Sequence, residues 1–583
     1  MYGSMMSPPT ESTAPVQAGD VPGGIPLILR RTPDLVMTLD RLGSFHQTRL
    51  SFLRSLLRRV ARERWQFQCS LWQVDDRGEG VAVYRLQAPH QVYSLVCFPH
   101  DLPPEKRSDR VIADEWDAAF VLYDGEPDRA EIERLRANAP KQEAGRYTAR
   151  DLVLSRANRS VRLFDHVVEC LASGAQPDKA ELAKIGYLMR TTAVYGNGKF
   201  GLADRGLICD RSELAGPFQA EMLAVWLIRR FTIDIVEHMA RRKSPGTAVQ
   251  LSPELRRVLG VGNATGLGMA PFLVHHAALI DRWVDARETA LARVRSLPAA
   301  APESRQAFCD FLARMQILVT HWQVDDAVQA ERIADLARDL RRLEDHLESF
   351  DWAALLPWDR LYLWAEGKLC LEAQEMLVTL LLEPHGALVD DLADQMSVDE
   401  AVEFPVDGAM TIERLLALIA QHYGFALDRD YGIREAQARF WYVSEEKLEP
   451  RLGERYEESG EELEQPLGIA RDIAALQAAC LKLPPHLPLA DFLHDNPAFR
   501  HVIRRVQITA RHPYAEIRGN LLSAEMRPID LLRCKLAFFG AMRFDPKSDR
   551  WLRITLFQHA PHPEEIDTAT ADNWAPPPRA GWG

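Results

Sequence analysis

The sequence predicts a mainly α-helical protein, with a large helical core and a small N-terminal antiparallel α+β domain. Three observations point there. Beyond residue 150 the apolar residues recur at three- and four-residue steps, the period of one helix face. Between residues 66 and 98, β-rich runs follow one another through links of hairpin length, which suits a meander better than βαβ units. No fixed-period repeat is visible, which argues against a solenoid.

Taken in order, residues 1–27 are rich in Pro, Gly, Ser and Thr and read as a disordered tail. Thr32–Arg64 is helical in pattern, with Leu50, Leu53, Leu57 and Val60 on one face. Its polar face carries Arg49, Arg54, Arg58, Arg59, Arg62 and Arg64. The simplest reading is a solvated basic face; the sharper one is docking onto an acidic surface of this chain or of a partner. Strands are expected at Gln66–Val74, Val81–Gln87, Gln91–Phe98 and Ala118–Tyr123, then a helix at Asp128–Ala137. Together these make a 28–150 domain built on an antiparallel meander.

Residues 151–383 are expected to form a helical core domain. Its helices are Leu152–Ala172, Lys179–Arg190, Ser212–Arg242, Met269–Leu297, Glu303–His321, Ala327–Phe350 and Leu361–Leu382. Ile333, Leu336, Leu340, Leu343 and Leu347 step by three and four, a short a/d seam that fits a helical hairpin better than a coiled coil. A Pro- and acid-rich break at 384–409 opens a second helical region, 384–557, with a charged cluster. Trp551–Gln558 alternates and is expected to rejoin a sheet. Residues 558–583 read as a Pro-rich tail, with Trp574 and Trp582 as points where it could dock.

Composition bounds the function. Over 583 residues the formal charge is −13, which argues against nucleic acid as a partner. No apolar run is long enough to span a membrane. The eight cysteines are scattered without a CxxC pair, so a zinc ribbon is not expected and a reducing, cytoplasmic setting is. HExxH, an Asp-rich calcium loop and a GxSxG elbow are all absent, so no metal ligands are assigned.

Three segments concentrate chemistry. In the first, Tyr195, Asn197, Gly198, Lys199 and Gly201 lead to Asp204 and Arg205, a glycine-rich stretch whose backbone can approach a ligand closely. It is not a P-loop, because Ala193 stands where the first glycine belongs and Phe200 follows the lysine. In the second, Gly260 to Gly268 contains Asn263, Thr265 and Gly266 and runs through Pro271 into an expected helix carrying His275 and His276. No apolar strand precedes these glycines, so a dinucleotide fingerprint is not expected. Instead the first-turn N–H groups of the helix would favour an anion. In the third, Phe440, Trp441 and Tyr442 run into Glu445, Glu446 and interleaved arginines. A weaker set lies at Arg511, His512 and Tyr514.

These segments point to an enzyme acting on a small carboxylate- or phosphate-bearing metabolite by acid/base chemistry, of lyase or isomerase type. Tyr195, Lys199, His275, His276, Glu445 and Glu446 are the candidate catalytic residues. Asn197, Gly198, Arg205, Asn263, Thr265 and Gly266 are the candidate substrate contacts. The cofactor is undetermined. The alternatives are a helical interaction or assembly protein, for which a homo-oligomer is an expectation, and a helical bundle holding haem or flavin. The glycine segments and the charged cluster are expected to converge in space.

Overall fold

Four consecutive strands build outward from one hairpin. β1 (Gln66–Val74), β2 (Gly80–Gln87), β3 (Val92–Pro99) and β4 (Ala118–Asp124) pair antiparallel in chain order, as the meander predicts. The sheet does not stop there. β5 (Asp151–Arg159) pairs antiparallel with β4, and β6 (Tyr187–Thr191) with β5. β7 (Gly260–Thr265) then lies parallel to β6, and β11 (Leu552–Leu556) and β10 (Arg543–Pro546) complete the far edge. The order is β1-β2-β3-β4-β5-β6-β7-β11-β10, and the sheet curls as a half-barrel. The rest is mostly helical. This computed structural model describes residues 29–103, 115–139, 147–191, 208, 211–265, 277–322, 324, 327–396, 407–427, 441–443, 450–452, 466–500, 502–503, 506–507, 533–546 and 552–575.

β4 shows how the layers form. Ala118, Phe120 and Leu122 enter the main core, and Ala119, Val121 and Tyr123 enter a smaller one on the other face. The two-residue period of a strand sorts them. The smaller core is closed by Leu135 and Ile132 of helix α2 (Arg129–Asn138), which follows helix α1 (Phe52–Glu63) in the chain. The main core is organised by a 25-residue helix, α5 (Gln219–Lys243), which packs across β3 to β7. It is preceded by α3 (Phe164–Ala172) and α4 (Lys179–Ile185). Through its first five turns nearly every residue of α5 is buried, whichever way it points. A helix enclosed on all sides must satisfy its polar groups internally. Arg229, at 0% exposure, does so by donating to the carbonyls of Leu259 (2.6 Å), Ala560 (2.7 Å), Arg256 (3.3 Å) and Arg257 (3.3 Å). Hydrogen bonds from a charged donor are each worth about 1.5–3 kcal/mol, so this guanidinium rivets α5 to two other chain segments.

One of those segments was expected as tail. After Gln558 the chain instead lies against α5: Trp226 donates its indole N–H to the Pro561 carbonyl (2.9 Å), and Ala560, His562, Ala571 and Trp574 are buried.

Several helical expectations change. Leu152–Ala172 divides into β5 and α3, and Lys179–Arg190 into α4 and β6. Gly186, at φ +78°, caps α4 in the left-handed region and turns the chain into β6. In both cases strand partners from distant segments outweigh a helical spacing. The stretch at Gly260–Thr265, expected as a loop, is the strand β7. Helix Thr32–Arg64 breaks into Pro33–Val36, Leu39–Leu42 and α1.

Much of this basic face is not solvated, although Arg62 and Arg64 remain exposed. Arg54 is fully buried and forms a two-bond pair with Glu383 at 2.8 and 2.7 Å. Arg49 holds Asp390, and Arg62 holds Asp394. The docking reading therefore applies within the chain, and the acid-rich stretch beginning at 383 is the complement. The a/d seam lies on α9 (Ala327–Glu348), which follows α6 (Pro253–Val258), α7 (Ala277–Arg295) and α8 (Pro302–Thr320). Ile333, Leu336, Leu340 and Leu343 are buried, with α9 packing on α8 as a hairpin. The second helical region contains a two-stranded ribbon, β8 (Trp441–Val443) with β9 (Pro450–Leu452). No helix among the described residues is long and apolar enough to cross a membrane.

Candidate functional site

β6 and β7 are the parallel pair of the sheet, with Tyr187 beside Gly260 and Arg190 beside Gly262. Their C-terminal ends therefore lie side by side. β11 runs against β7, with Leu552 opposite Thr265, so the β10–β11 link falls at the same end. In open sheets with parallel strands, that end is where ligands are commonly held.

The strands approach each other closely because of glycine. A methyl group on Gly262 would stand 2.8 Å from the Tyr187 ring, and one on Gly260 would stand 2.3 Å from the Leu556 carbonyl oxygen. These two glycines serve close packing within the sheet, not a mobile loop. The expectation of a loop fails because glycine's turn preference is local, whereas this contact is with β6 and with the last residue of β11.

Asn263, the central residue of β7, is 1% exposed. Its side-chain amide donates to the Thr191 carbonyl at the end of β6 (2.8 Å), and its Oδ1 accepts from Lys535 Nζ (2.9 Å). The Thr191 hydroxyl in turn meets Ser155 Oγ of β5 at 2.6 Å. A polar chain thus crosses three strands and ends on a buried lysine.

Lys535 opens a five-residue π-helical turn, Lys535–Phe539. Such turns are rare and often found at functional positions. Phe538 packs on Trp283, and Phe539 packs on Phe52 and Phe218, which fixes the turn in the core. Lys535 is 0% exposed, and burial, which penalises the ammonium form, lowers its pKa to about 7. It can hold or release a proton near neutrality while fixed on Asn263. The sequence reading missed it. The available signal was a lysine, two positions after Arg533, in the otherwise apolar stretch Leu531 to Phe539.

Of the residues singled out from sequence, the structure places Asn263 in this polar chain and Thr265 at the end of β7. Tyr195, Asn197, Gly198, Lys199, Arg205, Gly266, His275, His276, Glu445 and Glu446 lie outside the described residues, as do Arg511, His512 and Tyr514. The described residues contain no cluster of three or more His, Cys, Asp or Glu side chains able to hold a metal ion. No family model, curated protein or solved structure matches the chain.

Proposed function

We propose that the protein is an enzyme acting on a small anionic metabolite by acid/base chemistry, with Lys535 as the group that carries the proton. The observation supporting this is the Lys535–Asn263 hydrogen bond, buried where the parallel strands β6 and β7 end together. A lysine poised near neutrality is suited to general acid or base work, because it offers both protonation states at the working pH. In this reading Lys199 and Arg205, which follow β6 in the chain, supply the cations for the substrate's carboxylate or phosphate. Asn263 keeps the lysine amine oriented.

The test is a thermal-shift screen of the full chain against di- and tricarboxylates and phosphorylated metabolites. A ligand that binds only the folded state stabilises it by about 2.7 kcal/mol at a hundredfold excess over its Kd. One class of anion should raise Tm in the wild type, and Lys535→Met should fold but lose that response and turnover of the hit. A wild-type chain that no member stabilises, or a Lys535→Met chain that turns the hit over normally, would refute the proposal.

A further inference from the structure

We infer that residues 557–575 form an acid-released latch, docked on α5 and α6 while the imidazole of His562 is neutral and freed when that ring takes a proton. The segment follows β11, and its regular structure is one short helix, Thr570–Asn573. It is therefore held by what it touches. Near its start, Ala560 and Pro561 present their carbonyls to Arg229 (2.7 Å) and Trp226 (2.9 Å) of α5, and the His559 N–H donates to the Arg257 carbonyl of α6 (2.7 Å). Near its end, Asp572 accepts from Arg49 (3.0 Å). Few hydrogen bonds and one short helix make a segment that can open without the sheet opening.

His562 is where acid acts. It is 1% exposed, and its Nε2 lies 3.2 Å from the Arg256 carbonyl. A carbonyl only accepts, so Nε2 carries the hydrogen and Nδ1 holds a bare lone pair. That Nδ1 is buried with no hydrogen-bond partner. A proton there would create a buried donor without an acceptor and a second cation beside Arg229. The other charges around the ring are already matched. On α5, Arg230 pairs with Asp234 (2.9 Å) and with Glu564 of the latch (3.0 Å). On α6, Arg256 pairs with Glu237 of α5 (2.8 Å), and Arg257 with Glu565 of the latch (2.9 Å). Arg229 donates to carbonyls, with no carboxylate among those bonds. Burial, and then Arg229, accordingly hold the His562 ring far below its ordinary range. His559 adds to the effect. Its Nδ1 also lacks a hydrogen-bond partner, and burial with Arg229, Lys179 of α4 and Arg257 around it lowers its pKa to about 4. Released, each ring returns to its ordinary value of 6.5. The free segment then binds more protons than the docked one, so docking weakens as pH falls below 6.5. The inference does not depend on the Lys535 proposal.

Hydrogen exchange of the full chain, read by mass spectrometry as protection factors at pH 7.5 and 5.0, tests it. Both values lie above the carboxylate range, so Glu564 and Glu565 stay charged in the docked and the free segment. A histidine that is neutral when docked and titrates at 6.5 when free makes opening about thirtyfold easier between these values. Protection of residues 559–573 should fall at least that much, and at pH 5.0 it should be lower than that of β2 and β3. His562→Gln keeps an amide donor for the Arg256 carbonyl but cannot titrate, so its fall should be about thirtyfold smaller than that of the wild type. The shorter His562→Asn covers the case in which glutamine does not dock. Wild-type protection that is the same at both pH values overturns the inference and needs neither variant. So does a segment that exchanges no faster than β2 and β3 at pH 5.0, or an undiminished fall in a docked variant.

Discussion

Lys535→Met should change how stability depends on pH, and the size of the change follows from its burial. In the unfolded chain Lys535 keeps its proton up to its ordinary pKa of 10.5; in the fold, burial lowers that value to about 7. Between these values the unfolded chain binds more protons, so stability rises with pH. Below pH 7 the buried group costs its full penalty, about 5 kcal/mol at 1.36 kcal/mol per pKa unit. Above 10.5 it costs nothing. Methionine removes the penalty but also the donor to Asn263 Oδ1, which costs about 1–3 kcal/mol at any pH. The variant should therefore be more stable than the wild type at pH 6 and less stable near pH 10. The difference should shrink by about 1.4 kcal/mol per unit through that window. Urea unfolding at pH 6, 8 and 10, followed by circular dichroism, measures it. A difference that does not change with pH would show that Lys535 stays charged in the folded chain, and the acid/base assignment would lose its basis.

Two further substitutions probe the frame around it. Gly262→Ala should destabilise by about 1–3 kcal/mol, the usual cost of overpacking. Gly260→Ala should cost more, because its methyl would meet the Leu556 backbone carbonyl and not a ring that can tilt; equal stability of both variants to the wild type in denaturant titrations would contradict the close strand approach. Arg54→Met should cost about 3–5 kcal/mol by leaving Glu383 buried without its main partner. Burial alone would raise the Glu383 carboxyl, but Arg54, helped by Arg49, holds it at about 2. The wild type should thus keep this stability above pH 4.5 and lose it as pH falls toward 2, whereas Arg54→Met should show a flatter acid limb in the same titrations.

What was legible in the sequence follows the distance between partners. β1 to β3 pair with their immediate neighbours, so period-two runs and hairpin links sufficed to place them, and β4, reached through residues 100–117, was legible as an apolar run. β11 was legible as a strand but not its place beside β7, which depends on residues almost 300 positions earlier. β6 is five residues long and follows a helix directly, so its apolar residues merged with the helical pattern before Gly186. Gly260 and Gly262 carry the same ambiguity in chemical form, since glycine is favoured both where a chain turns and where two strands crowd together. Only Tyr187 and Leu556 decide between these uses.

Charge was misread for a related reason. The arginines on and just before α1 have the composition of a wet surface, and the carboxylates they pair with lie more than 300 residues downstream. An acid-rich stretch and an arginine-rich helix in one chain are complementary before any fold is known, and that complementarity was the better guide. Lys535 belongs to a different case. Its polarity, like that of Arg533, departs from the apolar residues around it, and no local preference accounts for a lysine there. What accounts for it is Asn263, itself out of place in the middle of a buried strand until its two hydrogen bonds, to β6 and to the π turn, are seen together. Two polar residues that each violate their surroundings and satisfy one another are costly to keep in a core unless the pair is used.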